Sequence, residues 1–170
     1  IGTTGLSDED NQKIRDVADT VCIVKAGNMS IGINLLTFVI EELSRNLNDH
    51  YDIEITEMHH RDKIDAPSGT ALMLGEAAAK GKGLSLPDLA AFDRSGVSKP
   101  RSKREIGFTS LRGGDVIGDH SVIFAGKGER IEITHRASSR LLFATGAIRA
   151  ALWTQERKPG LYSMKHVLSK

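Results

Sequence analysis

The sequence predicts an α+β fold, a mixed and largely antiparallel sheet with helices packed on it, and three observations predict it. Residues 30–47 carry an apolar stripe at helical spacing, and residues 71–80 are rich in the helix formers Ala, Leu and Met. Residues from Asp52 onward alternate apolar and polar side chains, the period of a strand buried on one face. After Gly107 three more alternating runs follow at short intervals, and Ala125-Gly126-Lys127-Gly128 between the last two makes a hairpin link. Helices grouped with a sheet in this way give an α+β domain rather than a complete doubly wound one.

Taken in order, Ser7 to Ala18 reads as a helix capped by Ser7, with Asp8, Glu9 and Asp10 at the positive end of its dipole. Thr20 to Val24 is a short buried strand, and Lys25 to Ser30 a loop. Ser30 to Leu47 is a helix whose apolar stripe is Leu35, Leu36, Val39, Ile40, Leu43 and Leu47. In the strand that follows, Ile53 and Ile55 share one face and Glu54 and Thr56 the other. His59 and His60 at its end therefore point oppositely. Pro67 fixes the backbone after the polar link Arg61 to Asp65, so Ser68, Gly69 and Thr70 open a helix that runs from Ala71 to Lys80 and stops at Gly81.

Gly81 to Glu105 reads mostly as a long loop with one apolar piece, Leu84 to Phe92. Phe108 to Leu111, Val116 to Phe124 and Arg130 to His135 are strands. Ser138 or Ser139 caps a helix through about Trp153, with Leu142, Ala150 and Trp153 among the buried positions. The tail Lys158 to Tyr162 is a turn into a short terminal segment.

Composition removes several classes of function. With 170 residues and 39% hydrophobic content the chain suits one ordinary core. A net charge of +1 gives no global field for nucleic acid or a membrane surface, and no apolar run approaches the ~18 residues of a membrane span. The basic run Lys99 to Arg104 reads as a solvated loop. Cys22 is the one cysteine, so no intramolecular disulfide can form; a reducing cytoplasm is the expected setting, and the thiol reads as a small buried hydrophobe.

The chemistry concentrates between Tyr51 and Gly75. An imidazole exchanges protons near neutral pH, which makes His59 the candidate acid or base. Lys63 lies a short link away and can deliver a proton or a full positive charge. At the start of the following helix unpaired backbone N–H groups and the dipole favour an anion, and Gly69 has no side chain to exclude one. Gly69 and Thr70 thus form an anion seat, with His60 beside it as a further ligand-binding residue. A metal reading would draw on His59, His60 and His120 or His135. Adjacent strand histidines diverge, however, and neither an H-E-x-x-H pattern nor a cysteine pair supports it, so no metal is expected.

Glu57-Met58-His59-His60-Arg61-Asp62-Lys63-Ile64-Asp65-Ala66-Pro67-Ser68-Gly69-Thr70-Ala71 resembles the signature of 4-hydroxy-tetrahydrodipicolinate reductases, the dihydrodipicolinate reductases of bacterial lysine and diaminopimelate synthesis. Gly2-Thr3-Thr4-Gly5, Arg112-Gly113-Gly114-Asp115, Phe124-Ala125-Gly126 and Glu129-Arg130-Ile131-Glu132 resemble the same family, and together these segments extend over nearly the whole chain. The resemblance implies reduction of a cyclic dicarboxylate with NADH or NADPH, His59 and Lys63 as catalytic residues, and His60, Gly69 and Thr70 as substrate contacts. It also implies a homotetramer assembled through the sheets. Gly2, Thr3, Thr4, Ala26, Gly27, Asn28 and Met29 would lie beside the nicotinamide, Met29 replacing the aromatic of many relatives with a thioether. Arg140 and Phe143 resemble residues at the family's domain junction.

The family's dinucleotide fingerprint G-x-G-x-x-G does not occur in this sequence. The expected organisation is therefore a remnant of a dinucleotide-binding Rossmann domain at 1–29, a substrate-binding and oligomerisation domain at 30–139, and a helix and tail at 140–170 that return to the nucleotide-binding part. Other readings are a dicarboxylate-binding or assembly domain without activity of its own, and a metal hydrolase.

Overall fold

The computed structural model describes residues 1–169, and at Asn48 the backbone alone. In chain order its elements are α1 (Asp8–Ala18), β1 (Cys22–Val24), α2 (Ile31–Leu47), β2 (Asp52–His59), α3 (Gly69–Gly81), β3 (Ala90–Ala91), β4 (Ile106–Arg112), β5 (Asp119–Ala125), β6 (Arg130–Arg136), α4 (Leu141–Thr154), β7 (Gly160–Tyr162) and α5 (Met164–Leu168). Short 3₁₀ turns occupy Asn48–His50 and Leu86–Asp88. The chain divides into two compact units, one of residues 1–35 and 139–170 and the other of residues 36–138.

In the first unit α1 begins with a reciprocal cap: the Ser7 hydroxyl accepts from the Asp10 N–H, and the Asp10 carboxylate accepts from the Ser7 N–H. β1 pairs in parallel with β7, so Gly160–Tyr162, expected as part of a turn into a short terminal segment, form a strand. Local pattern could not reveal this, because β1 and β7 come from opposite ends of the chain. Val24, Met29, Ala150, Met164 and Val167 form this unit's buried cluster, with Trp153 and Tyr162 edge to face at 5.0 Å. Arg140 occupies the cap position of α4 without a side-chain bond. Ser139 contributes differently from the expected cap, its hydroxyl accepting from the Leu141 N–H at 3.2 Å.

The second unit is a five-stranded mixed sheet in the order β3-β4-β2-β5-β6, antiparallel from β2 through β6 and parallel from β3 through β2. Its core joins α3 and the later part of α2 to one face of the sheet, through Ile40, Leu74, Ala78, Ile53, Ile55, Ile106, Phe108, Val122 and Phe124. Of the stripe expected on α2, Leu36, Ile40, Leu43 and Leu47 pack on this core. Leu35 and Val39 are exposed, since the buried side of the helix runs through Ile33, Ile40 and Ser44. The loop from Gly81 is more organised than its composition suggests. It holds the edge strand β3, and its arginines are spent on acids: Arg94 on Glu54 and Glu105, Arg101 on Asp52 and Glu54, and Arg104 on Asp49.

Across the covered face the side chains stand in rows set by strand register. Ile106, Ile53, Phe124 and Ile131 make one row, and Phe108, Ile55, Val122 and Ile133 the next. Then the chemistry changes: Ser110, Glu57, His120 and His135 form the third row, followed by Arg112 and His59. The sheet thus turns from hydrocarbon to hydrogen-bonding groups within two residues of β2.

At its far end α3 meets α2 closely enough to demand glycine. A β-carbon on Gly81 would stand 2.4 Å from the Glu41 carbonyl oxygen and 2.7 Å from the Ser44 β-carbon, while the Ser44 hydroxyl donates to the Ala78 carbonyl at 2.7 Å. Gly81→Ala is expected to cost about 1–3 kcal/mol by forcing the helices apart. A lowered urea midpoint would register the loss, and an unchanged midpoint would contradict the close approach.

Candidate active site

The polar end of β2 is built around Glu57, which is 2% exposed. A carboxylate taken so far from water needs replacements for its lost hydration. Arg112 on the neighbouring β4 donates from both terminal nitrogens, at 2.8 Å to each carboxylate oxygen. The Ser68 N–H reaches Oε1 at 3.2 Å, and His59 Nδ1 lies 2.5 Å from Oε2. Burial alone would raise the carboxyl, but hydrogen bonds from Arg112, Ser110 and His59 overrule it and hold Glu57 at about 2.

An ionised carboxylate only accepts hydrogen bonds, so at the 2.5 Å contact His59 Nδ1 is the donor. Its other nitrogen, Nε2, is then left as the proton-exchanging atom. A β-carbon on Gly118 would stand 3.0 Å from this Nε2, so glycine keeps the space in front of it clear. Burial lowers the His59 pKa, Glu57 raises it, and the charges of Lys63 and Arg112 lower it again, leaving the ring below the usual histidine range.

Lys63 stands in the loop after β2, its side chain 19% exposed and paired with Asp65 at 2.7 Å. That loop is pinned where Arg112 donates to the Asp65 carbonyl at 2.7 Å and the Arg61 N–H to the Gly114 carbonyl at 3.2 Å. The peptide bond between Ala66 and Pro67 is cis. Ser68 caps α3 as expected: its hydroxyl accepts from the Ala71 N–H at 3.1 Å and lies 2.9 Å from His120 Nε2, and its carbonyl accepts from the Leu72 N–H. Gly69 is exposed and Thr70 half-buried. No acidic residue in the first turn of α3 neutralises its positive end. His60, one residue past β2 and half-buried, has no hydrogen bond to its ring among the described residues.

His59, His60, Lys63, Gly69 and Thr70 thus lie in the second unit, at the end of β2, in the loop that follows it and at the start of α3. Sequence reasoning missed the Glu57 and Arg112 pair that holds His59, and named His120 only as a possible metal ligand. Glu57 was legible only as an acid on the apolar side of an alternating strand. Arg112, its bidentate partner, lies 55 residues further along the chain.

The candidate cofactor residues all lie in the first unit. The Ala26 N–H donates to the Ile1 carbonyl at 3.0 Å, and Gly27 lies beside Thr4, so the two turns are neighbours. Gly2, Thr3, Thr4 and Gly27 are exposed and Ala26 half-buried. Asn28 and Met29 are buried and have structural partners. Asn28 Oδ1 accepts from the Ser30 N–H at 2.8 Å, and the Met29 thioether belongs to the cluster with Val24 and Ala150, in contact with Gly2. Met29 thus has a packing role within this unit. Arg140 and Phe143 lie at the start of α4, exposed and half-buried respectively.

Among the described residues no group of three or more His, Cys, Asp and Glu side chains is placed to hold a metal ion, and no helix is long and apolar enough to cross a membrane.

His120 has its Nε2 on Ser68, and its Nδ1 is buried without a hydrogen-bond partner among the described residues. Burial first, and the neighbouring His59 next, push its imidazole down to about 4 from 6.5. The folded chain keeps this ring neutral, whereas the unfolded chain takes up a proton as pH falls below about 6.5. The stability contributed by the neutral ring is complete above 6.5 and is lost as pH falls to about 4, on the order of 3 kcal/mol. Urea midpoints measured across that range are expected to fall in the wild type and to fall much less in His120→Asn. Equal slopes would contradict a neutral buried His120.

The sequence profile of the family described as dihydrodipicolinate reductase, C-terminus, matches residues 32–168. The chain is 56% identical to the 4-hydroxy-tetrahydrodipicolinate reductase of Rhodopseudomonas palustris (strain BisA53) over 168 residues, covering 99% of this chain and 62% of that protein. With the same-named protein of Brucella abortus (strain 2308) the identity is 57% over 169 residues, covering 99% and 63%. Its structure is similar to that of the dipicolinate-bound dihydrodipicolinate reductase from Paenisporosarcina sp. TG-14, with a TM-score of 0.73 at 26% identity over 99% of this chain and 63% of that one. This chain spans about 62% of the length of the curated relatives it matches.

Proposed function

Because the chain belongs to the dihydrodipicolinate reductase family through that family's C-terminal domain, we propose that it forms the substrate side of a reductase in lysine and diaminopimelate synthesis. The reaction converts 4-hydroxy-tetrahydrodipicolinate to tetrahydrodipicolinate: a hydride from NADH or NADPH and one proton enter, and water leaves. One observation carries this reading, the convergence at the end of β2 of a carboxylate-held histidine, a lysine and a helix start whose first turn carries no acidic residue. The relative from Paenisporosarcina, solved with dipicolinate, supports a dicarboxylate as the occupant.

In this reading one carboxylate of the substrate rests on the N–H groups of Gly69 and Thr70, where the dipole of α3 favours negative charge. Lys63 leaves Asp65 to meet it, and His60, whose ring has no hydrogen bond among the described residues, adds a further contact. His59 exchanges the proton at Nε2 while Nδ1 stays on Glu57, and Lys63 stabilises the charge or supplies a second proton. The nicotinamide cofactor supplies the hydride when bound. Gly2, Thr3, Thr4, Ala26 and Gly27 fit one end of such a cofactor, since none of these five side chains is larger than threonine.

The reading extends to a homotetramer in a reducing cytoplasm. The sheet face away from α3 supports the assembly, carrying Met58, Leu111 and Ile123, with Leu111 51% exposed. The lone Cys22 suits the compartment.

Calorimetry of this chain with pyridine-2,6-dicarboxylate is expected to show binding that weakens in Lys63→Ala; no binding by the wild type would remove the anion seat. In the full-length protein His59→Ala is expected to lower kcat by about 10²–10⁴-fold, the usual worth of a positioned acid or base, with a smaller change in KM. Wild-type turnover in that variant would sink the catalytic assignment.

A further inference from the structure

A buried acid that merely balanced Arg112 would need only the fork of two nitrogens that the guanidinium presents. Glu57 does more than this. Oε2 is shared between Arg112 and His59 Nδ1, at 2.8 and 2.5 Å, and Oε1 between Arg112 and the Ser68 N–H, at 2.8 and 3.2 Å. The carboxylate is thereby fixed on two sides, by a side chain from β4 and by the backbone at the start of α3, and the imidazole hangs from it. His120 on β5 closes the far side of the ring edge to face, with centroids 5.0 Å apart.

We propose that Glu57 is a positioning residue for the acid/base histidine: held by Arg112 and the Ser68 N–H, it keeps the His59 proton on Nδ1 and so presents Nε2 as the single exchanging atom. The inference rests on the catalytic reading of His59 given above, and it adds the group that sets the tautomer. In the wrong tautomer Nε2 would carry the proton permanently and Nδ1 would turn a lone pair on a carboxylate, two acceptors facing each other at 2.5 Å. Every charged or titratable group that faces His59 is accounted for: Glu57 on its own strand, Lys63 in the following loop, Arg112 on β4 and His120 on β5. Only Glu57 among them favours protonation of the ring. Removing its charge moves the His59 titration to lower pH, whichever direction the catalytic proton travels.

Nitrogen-15 NMR of histidine-labelled wild-type chain reads the tautomer directly and needs no variant. His59 is expected with its proton on Nδ1 and an unprotonated Nε2 above its titration; a proton on Nε2 would overturn the proposal. In Glu57→Gln the preference should be lost, and an unchanged tautomer would overturn it as well. In the full-length reductase Glu57→Gln is expected to lower kcat by about 10²-fold or more with far less change in KM, as loss of an orienting carboxylate does in other histidine enzymes. The limb of the pH profile that belongs to His59 should move to lower pH, and Glu57→Asp should restore part of the rate. A purely structural Glu57 would lower the amount of folded enzyme and leave that limb in place. If the wild-type chain fails to bind pyridine-2,6-dicarboxylate, the substrate reading falls while the tautomer result stands on its own.

Discussion

A carboxylate buried to 2% exposure remains ionised only where its surroundings replace the water it has lost, and Glu57 is such a group. Four of its hydrogen bonds come from three directions: Arg112 on a parallel neighbour strand, Ser68 at the start of a helix, and His59 two residues along its own strand. Each donor therefore depends on a different piece of the fold. If β4 shifted in register, Arg112 would leave the row of His59; if α3 started elsewhere, the backbone donor would go. The position of the acid thus couples sheet register, helix start and imidazole orientation in one place.

The same arrangement explains why the chemistry sits at this end of the sheet. Toward the other end the rows are Ile, Phe and Val, which α3 covers with Leu74 and a run of alanines small enough to allow close packing. Hydrocarbon rows supply the stability, and the polar rows beyond them can then bury charge without giving up the core. Glycine marks two close approaches in this scheme, at Gly81 where α3 approaches α2 and at Gly118 before the open nitrogen of His59.

Much of the site was legible along the chain because its parts are close in sequence. Alternation in β2 separated His59 from His60, and the Pro-Ser-Gly-Thr turn announced the start of α3 together with its serine cap. Lys63 was correctly placed in the intervening link, but its pairing with Asp65 was not anticipated, since a polar link gives no sign of which charge its lysine meets. Met29 and Asn28 show the converse. The resemblance suggested contact with a cofactor, and the structure adds burial and local hydrogen bonding that the sequence did not show.

What the sequence determined by itself is local: the periods of the helices and strands, the caps, the hairpin between β5 and β6, and the signature that joins two histidines, a lysine and a helix start. These depend on backbone preferences and on spacings of a few residues, which a linear chain carries openly. Only the tertiary structure decided which face of α2 is buried, that β7 pairs with β1, that the sheet is parallel on one side of β2, and that Arg112, Ser110 and His120 surround Glu57. Those facts follow from strand register between distant segments, and a shift of one residue would reverse the face of every side chain involved. The chain names the groups that do chemistry, and register decides which of them meet.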